Sequence, residues 1–184
     1  MNKTPKRMLQ VMDNALKWWR LPAIGRDKGR VIRRLIERHR SRRALEIGSL
    51  FGYSAILIAA NQPPGGRLTC IEASEFLAGV VRRNADAAGV GKRVSVTAGD
   101  ALRVIPLLRG RFDFALIDAA KEDYLQYLRS LEPKLVRGAV VVADNTGIYR
   151  RQVEPYLDYV RASRRYQSRE YDFGWDRMEV SILS

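Results

Sequence analysis

The chain has 184 residues, with 33 Lys and Arg against 20 Asp and Glu and a formal net charge of +13. That length fits one domain able to bury roughly two-thirds of its unfolded surface. The longest apolar run, AILIAA at 55–60, is far too short to span a bilayer, and the amino terminus lacks the continuous apolar stretch of a signal peptide, so a soluble cytoplasmic protein with no membrane partner is expected. A single histidine, His39, excludes a polyhistidine zinc site, and a single cysteine, Cys70, excludes an intramolecular disulfide.

Two helices are expected before the first strand, over about 5–19 and 26–40. In RVIRRLIERH, Val31, Ile32, Leu35 and Ile36 form one apolar stripe that His39 continues, while Arg30, Arg33, Arg34 and Arg38 point elsewhere. Strand-length apolar runs at 43–48, 67–72, 93–97, 112–118 and 137–143 then alternate with helical segments at 53–61, 74–88, 101–109, 121–131 and 149–163. Such alternation is the pattern of an α/β domain with a mainly parallel sheet. PPGG at 63–66 and AGVGK at 88–92 read as turns, and Ser74 as a helix N-cap. Extended runs at 166–172 and 177–183 read as a terminal hairpin at one sheet edge. The domain expectation is a single unit over 1–184, with lead-in helices in 1–42 and the sheet core in 43–184.

Most of the excess charge lies in two stretches, +7 over residues 26–43 and +4 over 150–169. Such stretches attract phosphate backbones, or they are solvated helix faces. No aromatic residue interleaves with the arginines of 26–43, so a base-stacking platform is not written there.

In a sheet of this kind ligands gather outside the carboxyl ends of the strands. Those ends read EIGSLFG, CIEAS, AGDA, IDAAKEDY and VADN, each with an acid or a glycine. Glu46, Gly48 and Gly52 form E-x-G-x-x-x-G, whose spacing departs from the dinucleotide fingerprint and disfavours a nicotinamide cofactor. Glu72 follows Gly52 by 20 residues, where a carboxylate accepts the hydroxyls of a ribose or, more simply, caps the next helix near Ser74.

The segments LEIGSLFGYSAILIA, LTCIEAS, AGDALRVIPLL, LIDAAKEDYLQYL and VVADN, in that order, resemble the cation-dependent O-methyltransferases of the catechol O-methyltransferase type. The leading LQVMDNALKWWRLPAIGRDKGRVIRRLI resembles the same family, so the likeness covers nearly the whole chain. It implies a Rossmann-like class I methyltransferase fold: a mostly parallel seven-stranded sheet with an antiparallel last strand and helices on both faces. The cofactor implied is S-adenosyl-L-methionine. By resemblance its methionine part lies beside Glu46 and Gly48, with Tyr53 and Ser54 nearby. Glu72 and Ala73 fall at the ribose, Ile24 contributes a contact from the lead-in segment, and Gly99, Asp100 and Ala101 fall near the adenine. Ala101 replaces a serine of the family's catechol enzymes.

The resemblance also implies a cation site. Asp118, Asp144 and Asn145 match the family's ligands for Mg2+ or another divalent cation, and an oxygen-only set suits that chemistry. Asp118 also falls beside the cofactor. Lys121, three residues on, resembles the general base; a nearby cation and partial desolvation favour the neutral amine that a base requires. Tyr124, one turn further, reads as packing. Asn145 and Glu170 are the substrate-binding expectations, Glu170 by counting back without gaps from Asp176. Ala119 and Ala120 stand where the family often has aspartate or a large aromatic, leaving Trp18, Trp19 and Trp175 to supply the missing wall. The implied activity is methyl transfer to a hydroxyl of a catechol-like small molecule. Two alternatives stay open: methylation of a hydroxylated uridine in tRNA, and a noncatalytic S-adenosylmethionine- or RNA-binding module. A homodimer also stays open.

Overall fold

In the computed structural model, which describes residues 3–19 and 23–184, the strand-length runs become β1 (Arg43–Ile47), β2 (Arg67–Glu72), β3 (Val94–Ala98), β4 (Phe112–Ile117), β5 (Leu135–Ala143), β6 (Tyr166–Asp172) and β7 (Arg177–Leu183). They form one sheet of order β3-β2-β1-β4-β5-β7-β6. The pairs β1–β2, β1–β4, β2–β3 and β4–β5 are parallel, whereas β7 runs antiparallel to both β5 and β6. This is the class I methyltransferase arrangement that the resemblance implies. The terminal hairpin adds both of its strands, with β7 against β5 and β6 at the edge.

The helices are α1 (Lys3–Trp19), α2 (Gly25–His39), α3 (Tyr53–Asn61), α4 (Glu75–Ala87), α5 (Ala101–Leu107), α6 (Tyr124–Leu131) and α7 (Arg150–Ala162). Ser74 caps α4 as expected, accepting from the Leu77 amide at 3.3 Å. The helix expected over 121–131 differs at its start: residues Lys121–Asp123 make a 3-10 turn before α6 begins.

Strand alternation divides the core. On β4, Phe114 and Leu116 join the face covered by Ile32 and Ile36 of α2, Ile56 and Ile58 of α3 and Val81 of α4. Ala115 and Ile117 join the opposite face with Ile105 of α5, Leu128 of α6 and Val153 and Leu157 of α7. The central strands are buried on both faces, hence their continuous apolar runs FALI and AVVVA. The basic stretches on α2 and α7 therefore ride on opposite faces of the sheet. Among the described residues no helix is long and apolar enough to cross a membrane.

The chain winds outward from β1 to β3, then returns beside β1 as β4 and continues the other way. The strand order reverses between β1 and β4, and a crevice opens there at the carboxyl ends.

Candidate functional site

A cavity of about 660 Å³ occupies that crevice. One half is built mainly from backbone. Gly48, at φ +85°, lets the β1–α3 loop pass against the end of β4: a Cβ there would stand 2.2 Å from the Asp118 carbonyl oxygen. The following amides of Ser49 and Leu50 donate to Glu72 Oε2 at 3.1 and 2.8 Å, and the Ser74 amide donates to Oε1 at 3.1 Å. Three of the roughly four acceptor positions of this carboxylate are thus in use. Leu50 adopts φ 51°, uncommon for a bulky residue, and that conformation aims its N–H at Glu72.

Glu46 lies beneath this loop and does not line the cavity. Its Oε2 accepts from Ser49 Oγ at 2.6 Å and from Cys70 Sγ at 3.2 Å. Complete burial pushes its carboxyl up to about 7, although those donors pull the other way. Burial, then the Glu46 charge, pushes the Cys70 thiol well above its ordinary range. The other residues assigned to the cofactor by resemblance, Ile24, Tyr53, Ser54 and Ala73 on one side and Gly99, Asp100 and Ala101 on another, all line the cavity. Tyr53 donates its hydroxyl to Asp13 at 2.9 Å, fastening α3 to α1. Asp100 spends Oδ1 on the Leu102 amide at 2.9 Å as the cap of α5.

The other half is built from charge. Asp118 follows the last residue of β4, and Lys121, which opens the 3-10 turn, donates from Nζ to Asp118 Oδ1 at 2.7 Å and to Tyr124 Oη, three residues on, at 2.9 Å. Tyr124 is fully buried and donates its own hydroxyl to the Asp144 carbonyl at 3.1 Å. Its hydroxyl belongs to the polar network rather than to packing alone. Burial, then the Asp118 charge, pushes the Asp144 carboxyl upward against the pull of Lys28.

Asn145 sits at φ 58°, a conformation that asparagine tolerates better than most residues. Its Nδ2 donates to Asp176 Oδ2 at 2.8 Å, which leaves the carboxamide oxygen as its free end. Asp176 Oδ1 accepts from the amides of Gly147 and Ile148 at 3.1 and 2.9 Å. Burial pushes Asp176 up, yet the donors Lys28 and Asn145 bring it below the usual carboxylate range. Lys28, fully buried at the start of α2, donates to Asp176 Oδ2 at 2.6 Å and lies 2.6 Å from Asp144 Oδ1 as an ion pair.

Asp118, Asp144 and Asn145 all line the cavity and present two carboxylates and an amide, an oxygen set that fits a hard divalent cation. Among the described residues no group of three His, Cys, Asp or Glu side chains is placed to hold a metal ion, so a cation set here would have to include the Asn145 amide. Lys28 and Asp176 were not singled out in the sequence. Lys28 did carry a signal, standing four residues before Ile32 on the apolar stripe of α2 rather than on its arginine face.

Ala119 and Ala120 line the cavity as small residues, and Ile148, Tyr149 and Trp175 stand opposite on partly exposed segments. Of the three tryptophans, Trp175 reaches the cavity and covers Lys28 Nζ at 4.7 Å from its ring centre. Trp18 is 86% exposed and lines no part of it; the Trp19 side chain lies outside the described residues. Glu170 also departs from expectation. It pairs across β6–β7 with Glu179 and is held by Arg161 at 2.7 Å and Arg177 at 3.5 Å, outside the cavity lining. The turn at 173–176 instead places Asp176 behind the lining, against Lys28 and Asn145.

A family model described as O-methyltransferase matches residues 6–183. The catechol O-methyltransferase of Mycobacterium tuberculosis is 40% identical over 124 residues, spanning 67% of this chain and 56% of that protein. The catechol O-methyltransferase of Mus musculus is 30% identical over 185 residues, spanning 96% of this chain and 69% of that protein. The matches thus reach little more than half to two-thirds of these relatives' lengths. An O-methyltransferase from Bacillus cereus, solved in complex with SAH, superposes with a TM-score of 0.83 at 26% identity, covering all of this chain and 92% of that one.

Proposed function

This chain belongs to the O-methyltransferase family, and from that premise we propose that it transfers a methyl group from S-adenosylmethionine to one hydroxyl of a catechol-like small molecule, aided by a divalent cation such as Mg2+. One observation carries the reading: Asp118, Lys121, Asp144 and Asn145 line the same cavity as the Gly48 loop and Glu72. The solved relative's SAH is what S-adenosylmethionine becomes after giving up its methyl group, which supports that cofactor for the same fold.

S-adenosylmethionine supplies, when bound, a methyl carbon activated by a sulfonium. A divalent cation supplies, when bound at Asp118, Asp144 and Asn145, a lowered pKa and a fixed direction for the acceptor hydroxyl. The protein's part is largely to position and to exclude water. Lys121 is the group that would take the acceptor's proton, and its Nζ, 2.7 Å from Asp118 Oδ1 and 2.9 Å from Tyr124 Oη, has partners that support the role. Glu72, already oriented by three amides, has capacity for a further donor such as a ribose hydroxyl. Ile148, Tyr149 and Trp175 supply the apolar acceptor wall that Ala119 and Ala120 leave open.

The test is to incubate the protein with S-adenosylmethionine, Mg2+ and a simple catechol and to look for the singly O-methylated product by mass spectrometry. Binding of the cofactor without any methylated catechol would refute the substrate class. Net charge of +13 favours one second reading, methylation of a hydroxylated base in tRNA. Against it, the two basic stretches lie on opposite sheet faces. A salt-dependent gel shift with tRNA, followed by methyl transfer to the RNA, would make that reading the better one.

A further inference from the structure

Lys28 has no part in the chemistry just described, yet it is fully buried beside it, and a buried ammonium is retained only where it is paired. It reaches two carboxylates at 2.6 Å each, Asp144 just after β5 and Asp176 from the loop before β7. Asp176 is the hub of this part of the wall: it receives Lys28, the Asn145 side chain and the amides of Gly147 and Ile148. Four donors converge on one carboxylate, so both of its oxygens are committed. Without the ammonium, Asp144 and Asp176 would face one another as like charges, on either side of the loop that bears Asn145.

We propose that Lys28 is a positioning residue for the acceptor half: by bridging Asp144 and Asp176 it keeps the Asn145 nitrogen on Asp176 and the Asn145 oxygen toward the cavity. The inference rests on the cation reading above for its consequence, though not for its geometry. The residue that starts the bridge lies four positions after Ile24, so one short segment closes the cofactor side of the cavity and braces the cation side.

Lys28→Met gives a test in which the sign decides. Removing a positive charge beside a divalent cation would by Coulomb's law alone tighten cation binding. Loss of the brace should instead weaken Mn2+ binding by about 10–100-fold, the usual effect of disturbing a group that orients a metal ligand. Mn2+ affinity is read by electron paramagnetic resonance in the presence of SAH, whose own affinity should change far less. In a separate, metal-free measurement, the side-chain NH2 of Asn145 in 15N-labelled protein should exchange slowly in the parent and rapidly in the variant. Unchanged or tighter Mn2+ binding with a still protected Asn145 NH2 would overturn the proposal. If the parent protein does not bind Mn2+, the cation reading fails while the Asn145 exchange still judges the brace. If Lys28→Met does not fold, Asp176→Asn replaces it with the same exchange measurement, because an amide cannot accept from all four donors.

Discussion

The two halves of the cavity bury acids in opposite ways. Around the Gly48 loop, Glu46 and Glu72 are surrounded by neutral donors: a hydroxyl, a thiol and three backbone amides. At the ends of β4 and β5, Asp118, Asp144 and Asp176 are matched against two ammonium groups, Lys121 and Lys28. The first half holds its shape through backbone geometry and leaves Glu46 with a raised carboxyl range because no cation offsets its burial. The second half holds its shape through charge, and three carboxylates against two ammoniums leave it one negative charge in excess. The two proposed roles, shape recognition of a cofactor and electrostatic capture of a cation, call for these two kinds of construction.

Substitutions that strike one half and spare the other are the sharpest way to break this contrast. Lys121→Met should produce the largest effect, lowering kcat by about 10²–10⁴-fold, the usual worth of a general base. SAH affinity measured by calorimetry should stay close to the parent's; a parallel loss of SAH binding would mean that the halves are not separable.

Gly48→Ala acts on the seam where the cofactor loop meets Asp118. The added Cβ meets the Asp118 carbonyl at 2.2 Å and the backbone is at φ +85°, so a destabilisation of about 3 kcal/mol is expected in chemical denaturation. SAH binding should fall with it, and near-parental stability would contradict the close approach described.

A smaller effect should appear with pH. Glu46 binds its proton more tightly folded than unfolded, so its contribution to stability is present at low pH and is lost as pH rises toward about 7. Between pH 5.5 and 7.5 that amounts to about 2 kcal/mol in the cofactor-free protein. Thermal melts across this range should show the decline, and Glu46→Gln should flatten it. Equal slopes in parent and variant would remove Glu46 as the source.

What the sequence made legible follows from how local each feature is. Glycines and acids at strand ends are set by a few neighbouring residues, so the loop after β1, the acid after β2 and Asp118 could be placed at strand ends from the pattern, while the role expected of Lys121 came from the family resemblance. The bridge from Lys28 to Asp176 joins residues 148 positions apart and exists only once the sheet has formed. The tail shows the same limit: an ungapped count points Glu170 to the acceptor, whereas the turn before β7 brings Asp176 to Lys28 and Asn145 and leaves Glu170 among arginines on β6. The antiparallel place of β7 was expected from the likeness to a family, not from any pattern within RMEVSIL.

The contrast between the halves is tested most directly by chelation. With S-adenosylmethionine and a simple catechol, methyl transfer should be present in Mg2+ and fall to background in excess EDTA, while calorimetric binding of SAH persists in both. Transfer that continues undiminished in EDTA would contradict the assignment of Asp118, Asp144 and Asn145 to a cation.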